Sequence, residues 1–170
     1  MERTQQLKVI LSFLTEIGLP YKLSNLGDDT FLPGLQHRQG RLEIDLNKLT
    51  YPGDILHEAG HYAVCEPTER HLLDGDIYKT GLQHSRPKQQ MMGEEMAATA
   101  WSVAAAKYLG FSLDIVFHEA GYRGASESLI TAFEHGGGIG HPLLNAYQMS
   151  CPDKGFPTMK MWIRTVSWNQ

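Results

Sequence analysis

The chain predicts an α+β fold, with short strands in its first third, a histidine-bearing helix after them and a mostly helical remainder. Three observations carry this. Arg41-Leu42-Glu43-Ile44-Asp45-Leu46 alternates strictly between charged and apolar residues, the period of a half-buried strand. Leu7, Ile10, Leu11, Leu14 and Ile17 recur at helical spacing. The stretch from Glu94 to Leu109 is rich in Ala and Met, both strong helix formers, and Gly110 closes it.

In chain order, the first helix ends at Gly18 and Pro20. Tyr21 to Leu23 and Thr30 to Leu32 are short strand candidates joined by the turn Asn25-Leu26-Gly27-Asp28-Asp29. The alternating strand follows, with Leu42, Ile44 and Leu46 on one face. Tyr51-Pro52-Gly53-Asp54 is a turn that offers Asp54 as a helix N-cap. A helix is expected from Ile55 to about Cys65, where Pro67 stops it. Thr68 to Lys88 is polar and reads as a long connection, with Asp74-Gly75-Asp76 as a turn too short for a calcium loop. Beyond the Ala-rich helix, helical stretches are expected at Ser112 to Glu119, at Ala125 to His135 and from His141 toward Met149. The tail from Met159 to Trp168 suits either strand or helix. The methionines at 91, 92 and 96 and the tryptophans read as core.

With 170 residues the chain suits a single domain, 1–170, that buries a core without staples. The net charge of −4 offers no basic surplus for nucleic acid or an anionic membrane. No run approaches the ~18 apolar residues of a membrane span, and the N-terminal run from Val9 to Leu14 lacks a cleavage site. The two cysteines, Cys65 and Cys151, form no CxxC pair and suit a reducing compartment. The expected location is the cytoplasm.

The chemistry is expected at His57-Glu58-Ala59-Gly60-His61. Residues four apart on a helix project from nearly the same face, so both imidazoles reach one ion without bending the backbone. Glu58 lies ~100° round the helix, where its carboxylate reaches a water rather than the ion. Ile55, Leu56, Ala63 and Val64 make this helix mainly apolar, so two histidines buried in it need a polar partner. An open zinc site wants a third protein ligand, and Glu94 and Glu95 are the candidates.

Here the chain resembles the gluzincin metallopeptidases, whose third ligand is a helical Glu downstream of HExxH. Several branches follow that Glu with Ala at +3, a small polar residue at +4 and an aromatic at +6. Counting from Glu95 gives Ala98, Thr99 and Trp101, whereas Glu94 gives Ala97, Ala98 and Ala100. The resemblance therefore implies His57, His61 and Glu95 as zinc ligands, Glu58 as general base and a small zincin-like fold. Thr99 stands where that family has Asp or Asn, which weakens the expected support of a ligand histidine. The resemblance also implies a peptide or protein substrate, pairing with the strand Arg41 to Leu46 as an edge.

The layout also resembles the elongation factor P hydroxylase family. The similarity runs through Gly27-Asp28-Asp29, Leu32-Pro33, a strand, HExxH, Tyr62 and a glutamate heading an Ala-rich helix that ends near Gly110-Phe111. It implies that the same three residues hold Fe2+ instead of Zn2+. A third reading is a non-catalytic module that binds metal structurally.

Two further segments carry histidines. His118-Glu119-Ala120-Gly121-Tyr122 nearly repeats the motif, with Tyr122 in place of the second histidine. His135-Gly136-Gly137-Gly138-Ile139-Gly140-His141 lacks the ending of a phosphate loop. It is expected to form a wall over the metal, with His141, or less favourably Tyr147, stabilising an oxyanion.

Overall fold

Helix α1 (Arg3–Glu16) forms where the apolar spacing predicts it, and it buries Leu7, Ile10, Phe13 and Leu14. The computed structural model describes residues 1–75 and 86–168. Asp76 of the expected turn lies outside them.

Three strands follow: β1 (Tyr21–Leu23), β2 (Leu35–Arg38) and β3 (Arg41–Ile44), in the order β1-β3-β2. β1 runs parallel to β3, with Leu23 opposite Ile44, and β2 runs antiparallel to it, with His37 opposite Leu42. Gln39 and Gly40 join β2 to β3 with φ of 48° and 75°, the handedness a two-residue hairpin turn requires. The strand expected at Thr30 to Leu32 does not form. Only Leu32 pairs, in an isolated bridge to Leu35, because Pro33 and Gly34 turn the chain there. The strand comes after that turn, and His37 conceals it by holding a core-facing position where alternation calls for an apolar residue.

β3 is shorter than the alternation suggests. The chain leaves the sheet at Asp45, whose carboxylate accepts from Leu26 N and Asn47 N, each at 3.0 Å. Leu42 and Ile44 face the core as expected. β3 is also the central strand, so both its edges are taken and no peptide can pair with it. Of the two outer strands, β2 adjoins the motif helix. Its outward edge already accepts Gly75 N at His37 O, 2.7 Å.

Helix α2 (Asp54–Val64) carries the motif and packs Ile55, Leu56, Ala59, Ala63 and Val64 into the core. Asp54 is its first residue rather than its cap, and its carboxylate is engaged by His118 instead. Helix α3 (Lys88–Tyr108) begins before the expected Glu94 and forms the main helix contact with α2. The helices touch at Gly60, where a Cβ would stand only 2.8 Å from Ala98 O. Gly60→Ala adds helix propensity worth ~1 kcal/mol but overpacks this crossing at roughly 1–3 kcal/mol. A lower melting temperature is expected, because the clash pushes α2 away from α3. An unchanged melt would contradict this account of the crossing.

The remainder is less regular than the sequence suggests. Ser112 to Glu119 yields only a 3-10 turn at Leu113–Ile115, after which Val116 and Phe117 enter the core. Helices α4 (Ser126–Glu134) and α5 (His141–Ala146) form as expected. The tail from Met159 is neither strand nor helix. It lies along α2, with Arg164 N donating to Ala63 O at 2.8 Å, while Trp101 Nε1 donates to Trp162 O at 2.8 Å. Trp101 is core, but Trp168, Met92 and Met96 are exposed, contrary to the expectation of a core cluster. Among the described residues, no helix is long and apolar enough to cross a membrane.

Candidate metal centre

α2 presents His57 and His61 from successive turns, and α3 presents Glu95 opposite them. The two Nε2 atoms lie 3.2 Å apart. Glu95 Oε1 is 3.5 Å from His57 Nε2, and Glu95 Oε2 is 3.1 Å from His61 Nε2. Two imidazole nitrogens and one carboxylate thus converge on a common point, and the group fits a divalent ion with N/O preference. His61 is buried, and Glu95 is the most exposed of the three, so the approach is from the Glu95 side.

Glu94, about 100° round the helix from Glu95, points to a different set of partners. Its Oε2 accepts from Arg86 Nη2 at 2.6 Å and its Oε1 from Glu66 N at 2.9 Å. It belongs to a buried ion network, not to the histidine pair. Cys65 lies beside the same network, 3.4 Å from Arg86 Nη2, as a buried packing residue.

Glu58 is buried next to His37 of β2, whose Nε2 stands 3.1 Å from Glu58 Oε2. Burial works against its ionisation. The close His37 contact and the positive potential of His61, His37 and His57 outweigh burial and hold its pKa at about 2. His37 was not legible as a site residue. The only sequence signal is the pair Leu35 and His37 at strand spacing.

Tyr122 stands where the near repeat at 118–122 has no second histidine. Its hydroxyl lies 3.3 Å from His57 Nδ1. Burial first, then the carboxylates of Glu95, Asp54 and Glu58, push its pKa up against a contact with the Thr99 hydroxyl, so it stays a neutral phenol. Thr99 Oγ1 itself donates to Glu95 O at 3.1 Å. The hydroxyl next to His57 therefore comes from Tyr122, and not from Thr99 of α3. His118 is no part of the triad, since its Nε2 meets Asp54 Oδ1 at 3.0 Å and its ring stacks on Tyr51 at 3.7 Å.

His141 does not join the triad. Its ring stacks on Phe156 in a separate cavity of about 620 Å³ walled by Lys107, Phe133 and Ser150. Gly140 turns the chain away with φ of 83°, packed against Met96 O. Tyr147 is buried under the Arg164 guanidinium at 4.0 Å. The oxyanion role expected of His141 or Tyr147 therefore finds no support in where these side chains lie.

Electrostatics distinguish the two histidines. Burial pulls His61 down, but the Glu95 hydrogen bond and charge, with Glu58 and Glu94, raise it to about 9. Burial and the charge on His61 lower His57, against Glu95 and Glu58. At neutral pH the site without metal thus carries one proton on His61, and an incoming ion must displace it. Zinc affinity is expected to rise about tenfold per pH unit between about pH 6 and about pH 8, with one proton released per ion. The rise should level off as pH passes the His61 pKa. A slope of zero in a chelator-competition series would show that the His61 proton is not displaced.

No family model, curated protein or solved structure matches the chain. Its chemistry is read from its own residues.

Proposed function

We propose that the chain is a mononuclear metal-dependent hydrolase acting on an amide carbonyl of a peptide or protein. The observation that carries this is the spacing of 3.1–3.5 Å among His57 Nε2, His61 Nε2 and the Glu95 oxygens. A second carboxylate, Glu58, stands on the same helix outside that donor set. Structural zinc sites are normally closed by four protein ligands, whereas this group among the described residues contains three.

His57, His61 and Glu95 would hold the ion. Zinc there supplies Lewis acidity, which polarises a carbonyl and makes a water molecule acidic near neutral pH. Glu58, ionised and steadied by His37, accepts the proton of the attacking water at a carboxylate oxygen. It then returns that proton to the leaving amine. Tyr122 supplies a neutral hydroxyl beside His57.

Two histidines and one carboxylate also suit iron(II) oxygenase chemistry, so the test must separate metals. Protein purified without oxygen is analysed for bound metal, then assayed on a mixed peptide library with and without dioxygen. Bound zinc with oxygen-independent cleavage that chelation removes and zinc restores is the expected result. Bound iron with an oxygen-dependent product would replace hydrolysis by hydroxylation. Tight zinc with no reaction at all would leave a binding module.

A further inference from the structure

We propose that Tyr122 is a positioning residue that holds the His57 ring with Nε2 turned toward Glu95 and His61. The proposal rests on the reading of these three residues as an ion-binding group. Three observations carry it. The Tyr122 hydroxyl meets His57 at Nδ1, the nitrogen on the far side of the ring from Glu95. The two rings are held edge to face at 6.1 Å, and Phe117 backs the phenol at 4.9 Å.

The backbone is the second observation. Tyr122 and Arg123 are consecutive non-glycine residues with φ of 51° and 53°. A side chain with a Cβ avoids this conformation, and such strain persists only where the surroundings enforce it. The turn they occupy is fixed at both ends. Gly121 N donates to His118 O at 2.9 Å, and Ser126 Oγ donates to the same carbonyl at 2.9 Å.

The third observation is that this turn is clipped to α2 at two points on one face. His118 engages Asp54, and Tyr122 engages His57, one helical turn further on. The near repeat of the motif at 118–122 thus serves as a clamp on the helix that bears the motif. When Nε2 of an imidazole is to bind an ion, its proton must sit on Nδ1, and a partner there fixes both tautomer and ring orientation. The phenol oxygen of Tyr122 accepts that Nδ1–H. Without it, Nδ1 loses this partner in a partly buried position and the ring is free to exchange tautomers.

The test uses the full chain, zinc ion as the probe, and two readouts besides activity. Tyr122→Phe keeps the ring packing and removes the acceptor. Its zinc affinity, measured against a chromophoric chelator, is expected to fall about 10–100-fold, with the melting temperature of the metal-free chain lowered by only about 2–4 °C for the lost hydrogen bond. In ¹⁵N spectra of the metal-free chain, His57 is expected as the Nδ1–H tautomer in the wild type, shifting toward Nε2–H in Tyr122→Phe. Wild-type affinity in the variant, or an unchanged His57 tautomer, overturns the role. If the variant does not fold, the wild-type spectrum decides, because an Nε2–H tautomer there overturns it and Nδ1–H supports it. If the wild type binds no zinc, the ion-binding reading fails, and the tautomer comparison still decides what Tyr122 does to His57.

Discussion

Glu58→Gln is expected to leave zinc binding intact while lowering turnover by about 10²–10⁴-fold, the range of a lost general base. The carboxamide matches the carboxylate in shape, so the buried position beside His37 remains filled. The Gln oxygen still faces His37 Nε2, so the contact between β2 and α2 survives. What disappears is the capacity to take a proton. The loss should fall on kcat, because an interaction made only in the transition state is removed. Zinc titration and turnover on one preparation separate the two effects. Full activity in this variant would remove Glu58 from the mechanism.

Glu95→Ala and Glu94→Ala should have opposite phenotypes although the residues are neighbours. Losing Glu95 takes away one of three donors, and zinc affinity should fall by more than the roughly 10–100-fold typical of a supporting residue. The melt of the metal-free chain should fall by less than in Glu94→Ala, since the carboxylate that Glu95 sets against His57 and His61 of α2 is partly exposed. Losing Glu94 takes one of two carboxylates from the buried Arg86 guanidinium, leaving Glu69 at 2.6 Å, and leaves Glu66 N without its acceptor. Breaking a buried pair in this way costs about 3–5 kcal/mol, or very roughly 6–20 °C in melting temperature for a chain of this size. Zinc binding by the folded fraction should persist. The reverse pattern would move the third donor from Glu95 to Glu94.

How much of this could be read beforehand depends on how local each determinant is. The α+β class follows from short-range periodicity, and so do α1, β1 and α2. His57 and His61 come together by helix geometry alone, so their pairing was legible. Glu95 required the pattern after it, since Glu94 and Glu95 are equivalent until Arg86 and Glu66 claim one of them. His37 and Tyr122 were not legible, because each acts on α2 from a distant segment. β2 escaped notice for the same reason that His37 did: a polar residue in a core position breaks the alternation that marks a strand. The tail is ordered by single side chains rather than by any repeat, so no period reveals it.

The tail has a consequence for the order of synthesis. Arg164 is almost fully buried, reaching Glu66 Oε2 at 2.8 Å and Val64 O at 3.2 Å just past the end of α2. Until residues around 164 leave the ribosome, Glu66 stands without that cation, next to the segment that also meets Glu94. The helix bearing the two histidines ends at Val64, yet part of what fixes its far end comes from about a hundred residues later in the sequence. A product that stops short of residue 164 would carry both histidines and lack the cation that meets Val64 O and Glu66 at the end of their helix.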